Sequence, residues 1–137
     1  MPRHYTLRSL TESRDLAADF GFSHIGEARF PSEDLRTEET GLSHQRLRPN
    51  MRQAFAHRHD EAEEVYVVLS GSGRVRLDDE ILDLVQLDAI RVAPWVTRCF
   101  ESGDEGLELL VFGPRCPNDA EMVPDWWTDD PPVEEAA

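Results

Sequence analysis

Short apolar runs broken by turn residues, roughly every 8 to 12 positions, dominate the chain from Gln53 onward. Val65 to Leu69 is a β-branched and aromatic run, and Ser70-Gly71-Ser72-Gly73 is expected to end it, because these residues tolerate positive φ. Arg74 to Leu77 alternates polar and apolar, Asp78-Asp79 turns, and Ile81 to Val85 returns. Ala89 to Ala93 is closed by Pro94; Thr97 to Glu101 follows; a turn over Ser102 to Gly106 leads into Leu107 to Phe112. The first 50 residues read differently. Thr11 has the character of an N-cap for a helical turn over Glu12 to Phe20 that Gly21 stops, and a second short helix is expected over Ser32 to Arg36. Ile25 to Phe30 and Leu42 to Arg48 have the composition of edge strands. Many short strands with no long helix between them predict an all-β fold, an antiparallel sandwich or barrel.

The 137 residues make one domain, large enough to bury a core. Acidic residues number 28 against 14 basic ones, for a formal charge of -14, and every basic residue is arginine. Such a surface repels nucleic acid and anionic membrane, so neither is expected as a partner. Cys99 and Cys116 are too few for a disulfide framework, and no signal-peptide core or membrane-spanning apolar run occurs, which together point to the cytoplasm. The segment from Pro114 to Ala137 is rich in proline and acidic at its end, and reads as an irregular tail. Trp126-Trp127 interrupts it and is expected to dock on the barrel or on a second subunit rather than to clamp an aromatic substrate, leaving Asp129 to Ala137 disordered.

Candidate chemistry concentrates at F-A-H-R-H-D-E-A-E-E-V-Y, Phe55 to Tyr66. Side chains at i and i+2 of a strand share a face, so His57 and His59 point the same way. A carboxylate from a neighbouring strand completes a two-histidine, one-carboxylate set suited to Fe, Mn, Zn or Ni as divalent ions. Glu64 is the first choice, with Glu63 as fallback if a bulge shifts the parity. The alternative is a solvated, salt-bridged strand.

This cluster, set in a series of short strands, resembles the cupin superfamily, whose first motif reads glycine, five residues, His-x-His, three or four residues, Glu, six residues, Gly. His57-x-His59, Glu64 and Gly71 satisfy it, and Asn50 stands one residue early for the leading glycine. The second motif is degenerate: Leu87 stands at its first glycine, Ala93 at its proline, Trp95 at its second glycine, Arg98 at its histidine and Ser102 at its asparagine. The resemblance implies a double-stranded β-helix, or jelly-roll barrel, over 42–113, an N-terminal extension packing on it over 1–41, and the tail over 114–137. Homodimerisation is the family habit.

Arg98 matters most among the departures, because metal-bearing cupins draw a fourth protein ligand from that position and arginine cannot be one. Two arrangements follow. In one, His57, His59 and Glu64 hold a divalent metal in the barrel mouth and Arg98 clamps a small anionic ligand beside it, with oxygenase or isomerase chemistry as the class implied. In the other, Arg98 replaces the metal as the resident cation, paired with Glu64 or Glu63, in a metal-free binding or sensor pocket. Tyr66 shares the face of Glu64 and offers a hydroxyl to a ligand, with a core tyrosine as the alternative; Gln45 lies on the strand before the motif, where family topology brings one face to the cavity. Cys99, one residue from Arg98, is expected to face away as a packed thiol, while His24 and His44 lie far upstream. Arg74, Arg76 and Arg91 are expected on the outer face of the sheet.

Overall fold

The computed structural model describes residues 4–128. Eight strands make one curled antiparallel sheet: β1 (Gly26–Arg29), β2 (Thr40–Leu47), β3 (Phe55–His59), β4 (Glu64–Leu77), β5 (Glu80–Leu84), β6 (Ala89–Val92), β7 (Arg98–Pro114) and β8 (Ala120–Pro124). The order β1-β2-β7-β3-β8 runs across it, and β4 pairs with β5, β6 and β7. This is the all-β fold expected from the strand series and the jelly-roll barrel that the resemblance implied, with two four-residue helices, α1 (Leu16–Asp19) before β1 and α2 (Ser32–Leu35) between β1 and β2.

β4 and β7 are the spine, and both are longer than their sequences suggested. Ser70 to Gly73 does not end β4; it bends the strand, with register shifts against β7 between Val68 and Ser70 and between Gly71 and Gly73. The glycines are required there because the strands approach closely: a Cβ on Gly73 would lie 2.0 Å from the carbonyl oxygen of Glu101. Ser102 to Gly106 likewise continues β7 instead of turning, Gly106 taking φ 80°. One strand therefore carries both Arg98, opposite β3, and Val111, opposite β2.

Two further expectations are corrected. Thr11 does not cap a helix over Glu12 to Phe20; Leu10–Glu12 forms a 3-10 turn, and α1 starts afresh at Asp15, whose carboxylate accepts hydrogen bonds from the N–H groups of Ala17 and, on β1, Ala28. That second bond ties α1 to the sheet edge and interrupts any longer helix. The tail is not irregular throughout, since β8 pairs with β3 from Phe55↔Pro124 to His59↔Ala120.

The main core gathers Tyr66, Val68, Val75, Phe100, Leu109 and Val111 inside the barrel. A second cluster joins Ala56, Cys99 and Trp127 on the outside of the sheet. Trp127, 5% exposed, has the guanidinium of Arg52 4.2 Å and that of Arg74 5.3 Å from its ring centre, and Arg76 stands 4.2 Å from the ring of Trp126. Glu101 accepts from Arg52 at 2.7 Å and Arg74 at 2.8 Å. Arg74 is thus on the outer face, as expected, but buried beneath the tail, whereas Arg91 is exposed and pairs with Glu63. The expectation for Asp129 to Ala137 lies outside the described residues.

Candidate metal centre and its cavity

Strand parity puts His57 and His59 on the inner face of β3, and Glu64, opening β4, points to the same place. The three offer ligand atoms all within 4.8 Å of one another, the one such grouping among the described residues. Glu64 Oε1 lies 3.5 Å from His57 Nε2 and 3.2 Å from His59 Nε2. Glu63 faces outward to Arg91 and takes no part. Arg58, between the histidines, points to the opposite face and meets Glu121 of β8.

The same Glu64 oxygen is the focus of a polar network. The Tyr66 hydroxyl donates to it at 2.6 Å, Arg98 Nη2 donates to it at 2.8 Å, and Arg98 Nε donates to the Tyr66 oxygen at 3.1 Å. Arg98 is 0% exposed, and its Nη1 also donates to the carbonyls of Val96 and Pro94, at 2.8 and 3.2 Å. Every guanidinium nitrogen of Arg98 is therefore engaged by this chain's own atoms. Tyr66 belongs to the main core at 2% exposure and also lines the cavity, its hydroxyl donating to Glu64 and accepting from Arg98.

Burial alone would raise the Glu64 carboxyl, yet the nearby His57 and His59 rings and the Tyr66 hydroxyl hold it well below the carboxylate range, which favours the anion. Burial lowers His57, whose hydrogen bond to Glu64 opposes only part of the effect, and favours the neutral imidazole that a metal requires. Burial, then the Glu64 charge, raises Tyr66, which stays a phenol. Cys99 faces away from the cavity into the tryptophan cluster, and burial pushes its thiol up to about 12, so it is an inert packing residue.

His59 is the least satisfied member. Both its ring nitrogens are buried without a hydrogen bond: Nε2 is near Glu64 and Nδ1 is 3.3 Å from Asp119 Oδ2, but neither approach is aligned. Asp119, on the turn before β8, meanwhile accepts backbone N–H groups from Asp60, Glu61 and Ala62 and so pins the loop between β3 and β4. Sequence reasoning missed Asp119 and Met122; the Asn118-Asp119 turn signature followed by alternating Ala120, Met122 was the available signal.

The cluster forms the floor of a cavity of about 420 Å³ between β1, β2, β3, β8 and α1. Gln45 lines it but is held laterally, accepting from Gln53 at 3.0 Å and donating to Ser43 at 3.2 Å. Arg98 is not on its wall. His44 turns to the other side and meets Glu108 at 2.6 Å, and His24 is exposed, so neither joins the cluster.

The leading glycine positions of the two motifs, though not the third at Trp95, carry a backbone signature. Asn50 adopts φ 56° and Leu87 φ 71°, both left-handed. The turns are kept although the glycines are not.

Among known protein families, the description "Cupin domain" matches residues 43–113. No curated protein matches the chain in sequence. Solved structures resemble it at low identity. A cupin protein from Bacteroides fragilis is 20% identical with a TM-score of 0.68, the match covering 85% of this chain and 89% of that one. Oxalate decarboxylase from Bacillus subtilis is 23% identical with a TM-score of 0.68, covering 93% of this chain and 35% of that one. Salicylate 1,2-dioxygenase from Pseudoaminobacter salicylatoxidans is 19% identical with a TM-score of 0.61, covering 82% and 34%. The chain spans about a third of each of these two enzymes, and the likeness shows a shared fold.

Proposed function

This chain belongs to the cupin domain family, and from that premise we propose that it binds a small molecule in the barrel mouth beside a divalent metal held by His57, His59 and Glu64. The observation that carries the reading is the donor set itself: two imidazoles and an ionised carboxylate on one inner face, with both His59 nitrogens buried and without a hydrogen bond. Separations of 3.2 and 3.5 Å suit ligand atoms that share one ion at about 2.0–2.2 Å each. Two imidazoles and one carboxylate, with open positions left, form the facial set of non-haem Fe(II) sites and suit Mn or Zn as well. A metal there would supply a Lewis acid that polarises an oxygen of the bound molecule. The chain's own residues do the rest. Tyr66 and Arg98 hold Glu64 ionised and fixed in place, and the walls of the cavity exclude water from the bound molecule. Because solved cupins of similar fold include an oxalate decarboxylase and a salicylate dioxygenase, and one named as a putative sugar phosphate isomerase, oxygenation or isomerisation is the reaction class to screen.

A second reading has its own observation, the 2.8 Å pair between Arg98 and Glu64. There the guanidinium is the permanent counter-ion, no metal binds, and the cavity is a ligand or sensor pocket. Elemental analysis by plasma mass spectrometry of untagged protein, against a His57→Ala, His59→Ala double variant, separates the two. Near one metal per chain in the wild type and none in the variant is the expected result. A metal-free wild type that stays so after reconstitution overturns the metal and leaves the pocket reading.

A further inference from the structure

We propose that the natural ligand of this cavity is a ring-bearing, mainly apolar molecule with a single oxygen-bearing head, rather than a small polyanion such as a dicarboxylate or a sugar phosphate. The inference deepens the small-molecule reading of the same cavity, but it rests on the walls and holds whether or not a metal occupies the floor.

Much of the lining is apolar. Leu16 of α1, Phe20 at its end, Phe22, Phe30, Phe55 and Met122 come from four separate parts of the chain to face one space. At about 30 Å³ per water, 420 Å³ amounts to roughly fourteen water volumes, room for one or two fused rings. Phe20 is 72%, Phe30 50% and Met122 57% exposed at the mouth, an arrangement that a bound apolar body would cover. The polar groups gather around His57, His59 and Glu64 and along the β1–β2 side, where Ser43, Gln45 and Gln53 are bonded to one another and Glu27 and Arg46 also line the space. One polar head, placed on the floor, fits that distribution.

Among the protein groups of the wall a polyanion would find little to hold it. Arg98 is fully buried, engaged at every nitrogen and absent from the wall. Arg46, the one arginine on the wall, pairs with Glu108 at 3.1 Å, and Glu27 on the same wall adds negative charge. A net charge of -14 further repels multiply charged anions from the mouth. A second copy of this chain is the other candidate to cover the exposed phenylalanines, but a flat interface would not reach the floor, where the unsatisfied nitrogens of His59 lie.

Calorimetric titration tests the inference, with 2-naphthol, succinate and inorganic phosphate as probes, on protein stripped with chelator and on protein reloaded with Mn(II). The expected result is saturable one-to-one binding of 2-naphthol in both states, at least 100-fold tighter than either anion. Phe20→Ser and Met122→Ser, both at exposed positions, weaken it tenfold or more with unchanged circular dichroism. Succinate or phosphate binding as tightly as 2-naphthol overturns the inference, as does 2-naphthol binding indifferent to both substitutions. A sedimenting dimer that these substitutions dissociate, with no 2-naphthol bound, also overturns it and gives the face to a second subunit. Absence of bound Mn(II) with 2-naphthol binding intact removes the metal and leaves this inference standing.

Discussion

Arg98→Met separates the two cations that compete for Glu64. Methionine keeps an unbranched side chain in a site of 0% exposure but removes the donors to Glu64, Tyr66, Val96 and Pro94. In metal-free protein this leaves a buried carboxylate without its counter-ion, and removing one partner of such a pair costs about 3–5 kcal/mol. Against a total stability of about 5–15 kcal/mol for a domain, that loss is large. A divalent ion reverses the balance. In the wild type it would sit about 5 Å from the guanidinium, and a double and a single positive charge at that distance repel by about 7 kcal/mol at an effective dielectric near 20. If only a fifth of that repulsion is felt, its removal tightens metal binding about tenfold. Saturating metal at 100 times its dissociation constant then returns about 2.7 kcal/mol to the variant. Urea midpoints with chelator and with Mn(II) or Zn(II), together with calorimetric metal affinities, measure both halves. The reasoning fails if the metal-free variant loses less than about 1 kcal/mol, or if the metal binds it no more tightly than the wild type.

Two further outcomes are expected. Leu87 holds φ 71° and is 75% exposed, so Leu87→Gly relieves backbone strain at little cost in burial and should stabilise the fold by about 1 kcal/mol, read as a higher urea midpoint; a lower midpoint contradicts the strain. Glu108 is held below the ordinary carboxyl range because the His44, Ser70 and Arg46 contacts outweigh its burial. Folding therefore favours its ionised form, a contribution complete above its ordinary value of 4.5 and lost as pH falls through the lower folded value, so Glu108→Gln should flatten the acid limb of a stability-against-pH curve, and an unchanged limb argues against it.

Much of the site was legible because it depends on short-range geometry. The i, i+2 parity of His57 and His59 survives any detail of the fold so long as β3 is extended, and Glu64 rather than Glu63 follows from sharing a face with Tyr66 and Val68. The long spine strands were not legible, because glycine signals a turn and a bulge in the same way. At Gly71 and Gly73 the choice is made by a partner about 30 residues away, whose carbonyls at Gly106 and Glu101 leave no room for a Cβ. The apolar chamber was hidden for a related reason. Leu16 and Phe20 keep an i, i+4 spacing, but Phe22 and Phe30 do not continue it, and the four share a wall only after β1 pairs with β2 and the Asp15 carboxylate draws α1 onto that edge.

β8 is the part whose absence from the sequence reading changes the chemistry. A segment rich in proline and acid offers weak strand propensity of its own, but β3 has an open edge, and pairing there satisfies backbone groups that would otherwise face solvent or a void. Once paired, β8 sets Met122 opposite His57 and Ala120 opposite His59, and brings Asp119 to within 3.3 Å of the His59 ring. What keeps it there is not its own ladder alone but Trp127, buried three residues beyond its end, with Arg52 donating to the Trp127 carbonyl at 2.8 Å and stacking on its ring. Arg52 also pairs with Glu101 on β7, the strand that carries Arg98 three residues earlier. The tail is therefore a wall of the site, fastened to the same strand that supplies the cation facing Glu64, and a change at the tryptophan latch would be felt at the histidines without touching them.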